Sequence, residues 1–247
     1  MNGFSPFCED PAGFVTRGDR NRIINDYPIN GPMSLAVLAD FDGTVTRKDA
    51  SYEVLDHFSR GDWHIYEERA LRGEISILEA LREQAALVRG DPAEIRRHLV
   101  REILPREGFF DFVRFCHDNG IYLEICSDGF GFTIEILLSE WDLDIFWTSN
   151  YGYPTVEGLP IEFRHAREGC PVNANCKCSH LERLEERFDR VLFVGDGGTD
   201  LCVSRKARTV FARGDLASRL ADEGISFIQW SNWEDVMRYI EATFPGY

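Results

Sequence analysis

The sequence predicts an α/β fold: a Rossmann-like, doubly wound parallel sheet with a helical cap domain inserted into it. Three observations predict it. Short apolar runs at 35–42, 121–127 and 190–196 read as strands buried on both faces. Helical patterns separate these runs, as in a parallel sheet covered on both sides. The stretch between the first two runs is far longer than the roughly dozen residues a crossover needs. A helical insert over 48–105 takes up the surplus.

Along the chain, residues 1–32 are rich in Gly, Pro, Asn and Asp without a sustained period, and read as a poorly ordered leader. Met33, directly before the first strand, reads as the natural start. Leu35 to Asp42 is the first strand, closed by Asp-Gly. In the insert, Ile77, Leu78, Leu81, Ala85 and Val88 share one helical stripe. Asp91-Pro92 supplies an N-cap followed by proline at the first helical position. Phe109 to Gly120 reads as an apolar helix ended by Asn-Gly, and Ile121 to Ser127 as the second strand. Residues 131–141 look helical, and 144–149 return to strand. Tyr151 to Phe163, with Pro154 and Gly158-Leu159-Pro160, suggests a small hairpin or loop. An amphipathic helix follows over 178–188, then a buried strand from Arg190 to Asp196. A helix, a strand from Thr209 to Ala212, a further helix and a short strand near Phe227 come next. A helix from Trp233 to Phe244 closes the chain. With residues 33–47 and 106–247 as the core, 48–105 is the cap.

Composition narrows the partners. The 247 residues are 44% hydrophobic and 28% charged, ordinary for a packed globular chain. Lys plus Arg is 27 against 42 Asp plus Glu, a formal charge of −15. That surface repels a phosphate backbone, and no basic cluster offsets it, so nucleic acid is not an expected partner. No apolar run approaches the roughly 20 residues of a membrane span. No signal-peptide pattern opens the chain, and the cytoplasm is the expected location. Cys116 and Cys126 sit in apolar patterns, and seven cysteines is an odd count. They read as reduced buried thiols and not as a disulfide framework.

Ligands of open parallel sheets bind beyond the carboxyl ends of the strands, and those ends carry polar residues here. Asp40 and Asp42 close the first strand in DFDGT. Ser127, Asp128 and Gly129 follow the second. Lys177 precedes a helix in NCKCSH. Asp196 and Asp200 stand in GDGGTD. Phosphoryl transfer calls for these residue types. One carboxylate can attack phosphorus and form an acyl phosphate. A second can protonate the leaving alcohol and then activate water. Alternation along the strand puts Phe41 inward and both carboxylates on the solvent side. Two carboxylates facing a phosphate dianion need a hard cation with oxygen ligands, and magnesium suits that best. Asp40 and Asp196 can supply carboxylate oxygens, and the backbone carbonyl of Asp42 a third ligand. Ser127 and the amides of the Ser127-Asp128-Gly129 turn can hold phosphate oxygens. Lys177 adds a point charge, and Asp200 can orient it. Each string alone has an ordinary reading as a turn, a cap or a surface lysine. All four occur in a fixed order, three of them after expected strands.

DFDGT, SDG, the isolated Lys177 and GDGGTD resemble the four motifs of the haloacid dehalogenase superfamily of phosphatases, over nearly the whole chain from about Met33. The helical insert after DFDGT is similar to the cap of its phosphoserine-phosphatase-like subclass. The resemblance implies that Asp40 is the nucleophile and Asp42 the acid/base. It further implies that Ser127 and Lys177 bind phosphate and that Asp40, Asp42 and Asp196 hold magnesium, supported by Asp200. Thr199 stands where the common motif has Asn.

His165, Cys170, Cys176, Cys178 and His180 crowd around Lys177 and are zinc-ligand types, but the spacing is not the double C-x₂-C of a strong zinc signal. A reduced, partly buried loop aiming Lys177 at the site is the favoured reading over structural Zn²⁺ at Cys170, Cys176 and Cys178. The His…Cys-Pro…Asn-Cys-Lys order resembles phosphoethanolamine/phosphocholine phosphatases, and Cys-Lys-Cys the methylthiopentenyl-phosphate phosphatases. The expected activity is therefore magnesium-dependent hydrolysis of a small-molecule phosphomonoester, best a methylthiopentenyl phosphate. Phosphoserine, phosphocholine or phosphoethanolamine are the alternatives, and a non-catalytic phosphate-binding module is the rival from another class. The sequence leaves the oligomeric state open.

Overall fold

A computed structural model describes residues 34–170 and 174–247; the expected leader and the Met33 start lie outside the described residues. Six strands form one sheet in the order β3-β2-β1-β4-β5-β6, every neighbouring pair parallel. They are β1 (Leu35–Ala39), β2 (Tyr122–Phe130), β3 (Phe146–Asn150), β4 (Arg190–Gly195), β5 (Thr209–Ala212) and β6 (Ile228–Gln229). This is the doubly wound, Rossmann-like α/β arrangement the sequence predicts. Its order reverses between β1 and β4, which places the ligand crevice at their carboxyl ends.

Alternate residues of β1 feed opposite faces. Leu35, Val37 and Ala39 join one core, and Ala36 and Leu38 the other. The first core takes in α5 (Phe109–Asn119), α6 (Gly131–Glu140) and α10 (Trp233–Thr243), where Phe112 stacks on Trp233 at 4.5 Å between ring centroids. The second takes in α7 (Lys177–Glu185) and α9 (Gly214–Asp222). Because β1 is covered on both sides, its run is apolar throughout and carries no alternation.

Between β1 and α5 lie four helices: α1 (Ala50–Phe58), α2 (His64–Leu71), α3 (Ile77–Leu87) and α4 (Pro92–Glu102). Their boundaries follow local chemistry. Asp49 caps α1 through Tyr52 N, Ser76 and Glu79 form a reciprocal capping box on α3, and Asp91 caps α4 with Pro92 just inside. Of the α3 stripe, Ala85 and Val88 are buried and Ile77, Leu78 and Leu81 half-buried. The two connections into this helical group run side by side: Arg47 N donates to Leu104 O and Arg106 N to Val45 O. Chain therefore leaves and re-enters the sheet layer at one place, beside the end of β1.

Three boundaries differ from the sequence reading. β1 stops at Ala39, not Asp42, because the chain folds into a tight turn over Phe41–Val45, with Gly43 at φ 75°. β2 continues through Ser127 to Phe130, so the segment read as a turn is an irregular strand extension. The register against β3 breaks between Cys126 and Phe130. The helix after Asp200, α8, is only Leu201–Ser204 and is entered through a tight turn at Gly198–Asp200. The Tyr151–Phe163 segment folds back on itself, with antiparallel bridges Tyr151–Glu162 and Thr155–Gly158.

Candidate active site

The ends of β1, β2 and β4 and the start of α7 converge at the point where the strand order reverses. Asp40 is anchored by its own N–H on Val194 O at 2.9 Å. Lys177, with no exposed surface, donates from Nζ to Asp40 Oδ1 at 2.6 Å and to Asp200 Oδ1 at 2.5 Å. The other Asp200 oxygen accepts the N–H groups of Asp196 and Gly197 at 3.0 and 3.1 Å. Asp200 is thus spent on holding Lys177 and the β4 loop. Asp196 Oδ1 accepts from Thr44 Oγ1 at 2.9 Å.

The two aspartates of DFDGT part company. Phe41 points into the core as expected. Because β1 ends before Asp40, strand alternation does not govern Asp42. Its carboxylate turns to the start of α1, accepting from Ala50 N at 2.7 Å and Ser51 Oγ at 3.2 Å, with Ser127 Oγ at 3.4 Å. Two glycines make room. A Cβ on Gly43 would collide with the Asp196 carboxylate, and one on Gly129 with Asp42 Oδ2 and Ser51 Oγ. Gly43 is also in left-handed backbone, where a side chain is strained.

Burial sets the charge states. It raises Asp42, against the hydrogen bonds from Ala50 and Ser51. Burial also raises Asp196 to about 6, with Asp200 adding to the shift, and Asp128 to about 6, against the pull of Lys177. Burial alone would lower Lys177, but the Asp200 and Asp40 carboxylates hold it well above the ordinary lysine value. The two carboxylates thus favour the charged form of the lysine.

Oxygens of Asp40, Asp196 and Asp200 lie within 4.8 Å of one another, one of two such potential metal-holding groups among the described residues. The Asp42 carboxylate is not part of it. A hard cation fits this all-oxygen set better than a thiophilic one. The other group, Glu53, His57 and His98, bridges α1 and α4. Among the described residues Cys170, Cys176 and Cys178 form no such group: Cys178 Sγ faces Cys202 Sγ at 3.3 Å, and His180 bonds Glu124 and Asn175.

A sequence model of the haloacid dehalogenase-like hydrolases matches residues 37–205. The chain belongs to this family. Among its relatives is the 2-hydroxy-3-keto-5-methylthiopentenyl-1-phosphate phosphatase of Brevibacillus brevis, 29% identical over 217 residues, covering 84% of this chain and 95% of the relative. The protein of that name from Bacillus thuringiensis subsp. konkukian is 28% identical over 217 residues, covering 83% and 94%. Solved structures share the fold. A phosphoserine phosphatase with a phospho-aspartyl intermediate analogue superposes with a TM-score of 0.63 at 18% identity, covering 84% of this chain and 99% of that one. A substrate-bound phosphoserine phosphatase gives 0.63 at 20%, covering 85% and 99%. Among the described residues no helix is long and apolar enough to cross a membrane.

Several residues of this haloacid dehalogenase-like site escape a reading of sequence. Ser51 donates to Asp42 and accepts Phe130 N at 3.0 Å. Arg106 donates to the carbonyls of Gly43, Thr44 and Thr46, and Arg213 to that of Gly43, bracing the turn that carries Asp42. Burial, then Arg213, lowers Arg106 to about 10. Thr44 alone had a signal, standing inside DFDGT.

Proposed function

We propose that this chain hydrolyses a small phosphomonoester through an aspartyl phosphate on Asp40. The observation that carries the reading is the Lys177 ammonium shared between Asp40 and Asp200 beside Asp196. It fixes a buried nucleophilic carboxylate next to an ammonium whose charged form its partners favour, where a phosphate dianion is otherwise repelled. Asp40 and Asp196 are the proposed carboxylate ligands of a magnesium ion, with the Asp42 backbone carbonyl as a third. Bound there, the ion would neutralise phosphate charge and polarise phosphorus.

An oxygen of Asp40 attacks phosphorus while the bond to the ester oxygen breaks. Asp42 donates its proton to the departing alkoxide. Burial, acting against its hydrogen bonds from α1, raises its pKa and so favours the protonated carboxyl. Asp42 then removes a proton from water, whose oxygen attacks the acyl phosphate, freeing inorganic phosphate and the Asp40 carboxylate. Ser127, Asp128 and Gly129 contribute a hydroxyl and amides to the phosphate oxygens, and Lys177 adds its ammonium.

Residues 48–105 act as a cap that excludes bulk water during transfer. Support comes from α1, which holds Asp42 at its first turn and belongs to that helical group. The substrate we favour is a methylthiopentenyl phosphate, the ester named for the relatives that align over most of the chain.

The test is phosphate release from a panel including that ester, phosphoserine, phosphocholine and phosphoethanolamine, with and without magnesium, for wild type and Asp40→Asn. Magnesium-dependent release lost in the variant is expected, fastest with the methylthio ester. A folded wild type that releases phosphate from none of them overturns the reading.

A further inference from the structure

Asn175 sits two residues before Lys177, ahead of α7, and is completely buried. Its side-chain nitrogen donates to the Ser127 carbonyl at 2.9 Å and to Thr148 Oγ1 at 3.2 Å. Its backbone N–H donates to Asp128 Oδ1 at 2.9 Å. A carbonyl only accepts, so the nitrogen must face Ser127, which leaves Oδ1 for His180 Nε2 at 3.0 Å. His180 is fixed from behind in turn. Its Nδ1 lies 3.1 Å from Glu124 Oε1, and the buried Glu124 takes Arg183 across both oxygens at 2.5 and 2.6 Å.

A chain of buried polar contacts thus runs from Arg183 through Glu124, His180 and Asn175 to the Ser127 peptide. Asn175 grips two successive residues of the β2 extension and is covalently tied to Lys177. The register of β2 against β3 is broken there, so ladder hydrogen bonds do not fix these peptides. Asn150 supplies the matching support, donating to the Asp128 carbonyl at 2.6 Å and the Gly129 carbonyl at 3.2 Å. Buried hydrogen bonds of this kind rigidify the segments they join, although Asp128 Oδ2, Asn150 Oδ1 and Arg183 Nη1 at the margins of the network have no partner among the described residues.

We propose that Asn175 is a positioning residue: it locks the Ser127–Asp128 segment in register with Lys177, so that hydroxyl, amides and ammonium converge on one phosphate group. This role rests on the phosphate-ester reading of the site. It requires no contact between Asn175 and substrate. Removing the amide takes this donor from the Ser127 carbonyl and leaves His180 Nε2 with only Thr148 Oγ1 at 3.4 Å, and the segment moves to recover the lost bond.

The test uses the whole protein and inorganic phosphate as probe, with kinetics on the best ester of the panel. In Asn175→Ala, phosphate affinity and kcat/KM are expected to fall together by about 10–100-fold, while divalent-cation affinity is unchanged. His180→Gln, acting from behind, should shift both the same way by a smaller factor. Thr148→Val removes a partner of the same amide and a 3.4 Å contact of His180 Nε2 but spares the Asn175–Ser127 bond, and should leave phosphate affinity at the wild-type value. A folded Asn175→Ala that binds phosphate as wild type does overturns the role. So does a Thr148→Val loss equal to that of Asn175→Ala. Collapse of both Asn175→Ala and His180→Gln also overturns it, assigning the network to the fold alone. Phosphate affinity is read without turnover, so a wild type that binds phosphate yet cleaves no ester would fault the proposed reaction and not this residue.

Discussion

Lys177→Met keeps the aliphatic stem and deletes one charge. In wild type the ammonium lies 2.6 Å from Asp40 and 2.5 Å from Asp200, and neither Lys177 nor Asp200 has exposed surface. Taking one partner from a buried ion pair costs about 3–5 kcal/mol, because the remaining carboxylates stay desolvated without compensation. Against a total stability of about 5–15 kcal/mol, that is a large share. For a chain of this size it corresponds to a fall in Tm of about 6–20 °C, followed by circular dichroism without divalent cation. The deficit should shrink on acidification. Burial already raises Asp40, opposed by Lys177; without the lysine the carboxyl protonates at higher pH still, and protonation removes the uncompensated charge. Turnover should fall about 100–1,000-fold, the range for losing one preorganised charge stabiliser. A stability loss below about 1 kcal/mol, the range of an exposed pair, would refute the reasoning. So would turnover equal to wild type.

Asp128→Asn should be stabilising near neutral pH. The native carboxyl is raised by burial to about 6 from 3.8, so the native state binds its proton more tightly than the unfolded chain. Stability therefore drops as pH rises between those values, and the substitution should recover about 2–3 kcal/mol above pH 6 and nothing below 3.8, read from urea unfolding across pH. Gly129→Ala should abolish turnover, since its methyl would strike Asp42 and Ser51; an active, folded variant would show that the Asp42 geometry is not required. Ser51→Ala removes a donor to Asp42 and the acceptor for Phe130 N, and should lower kcat about tenfold at saturating substrate; an unchanged kcat would sever Asp42 from its α1 support. Phe112→Ala, far from the chemistry, should cost about 3–5 kcal/mol through the cavity left in the core and the lost stack on Trp233, measured by chemical denaturation.

The parallel sheet was legible because its strands are covered on both faces and so read as unbroken apolar runs. The aspartates were legible because strand tips in such sheets are where ligands bind, and the topology places β1 and β4 side by side at the reversal of order. What failed was local geometry past the strand ends. Alternation assigned Asp42 to the same side as Asp40, but β1 ends one residue before Asp40, and Gly43 swings the following residues toward α1. The Ser127 segment read as a turn because Gly129 follows it; in fact Asn150 and Asn175 hold it extended, and no local pattern signals contacts made that far along the chain. Arg106 is the extreme case. Its sequence neighbourhood is an ordinary helix approach, and its role appears only once the two connections of the helical insert are laid together.

Covalent phosphate on Asp40 is the most direct test. Asp42→Asn, which can neither protonate the leaving group well nor activate water, is mixed with a radiolabelled phosphomonoester and magnesium, quenched in acid and digested. The account predicts label on the peptide carrying Asp40, released by hydroxylamine and missing from the Asp40→Asn protein. Hydrolysis by wild type with no labelled peptide in any quench, or label on another residue, would contradict it.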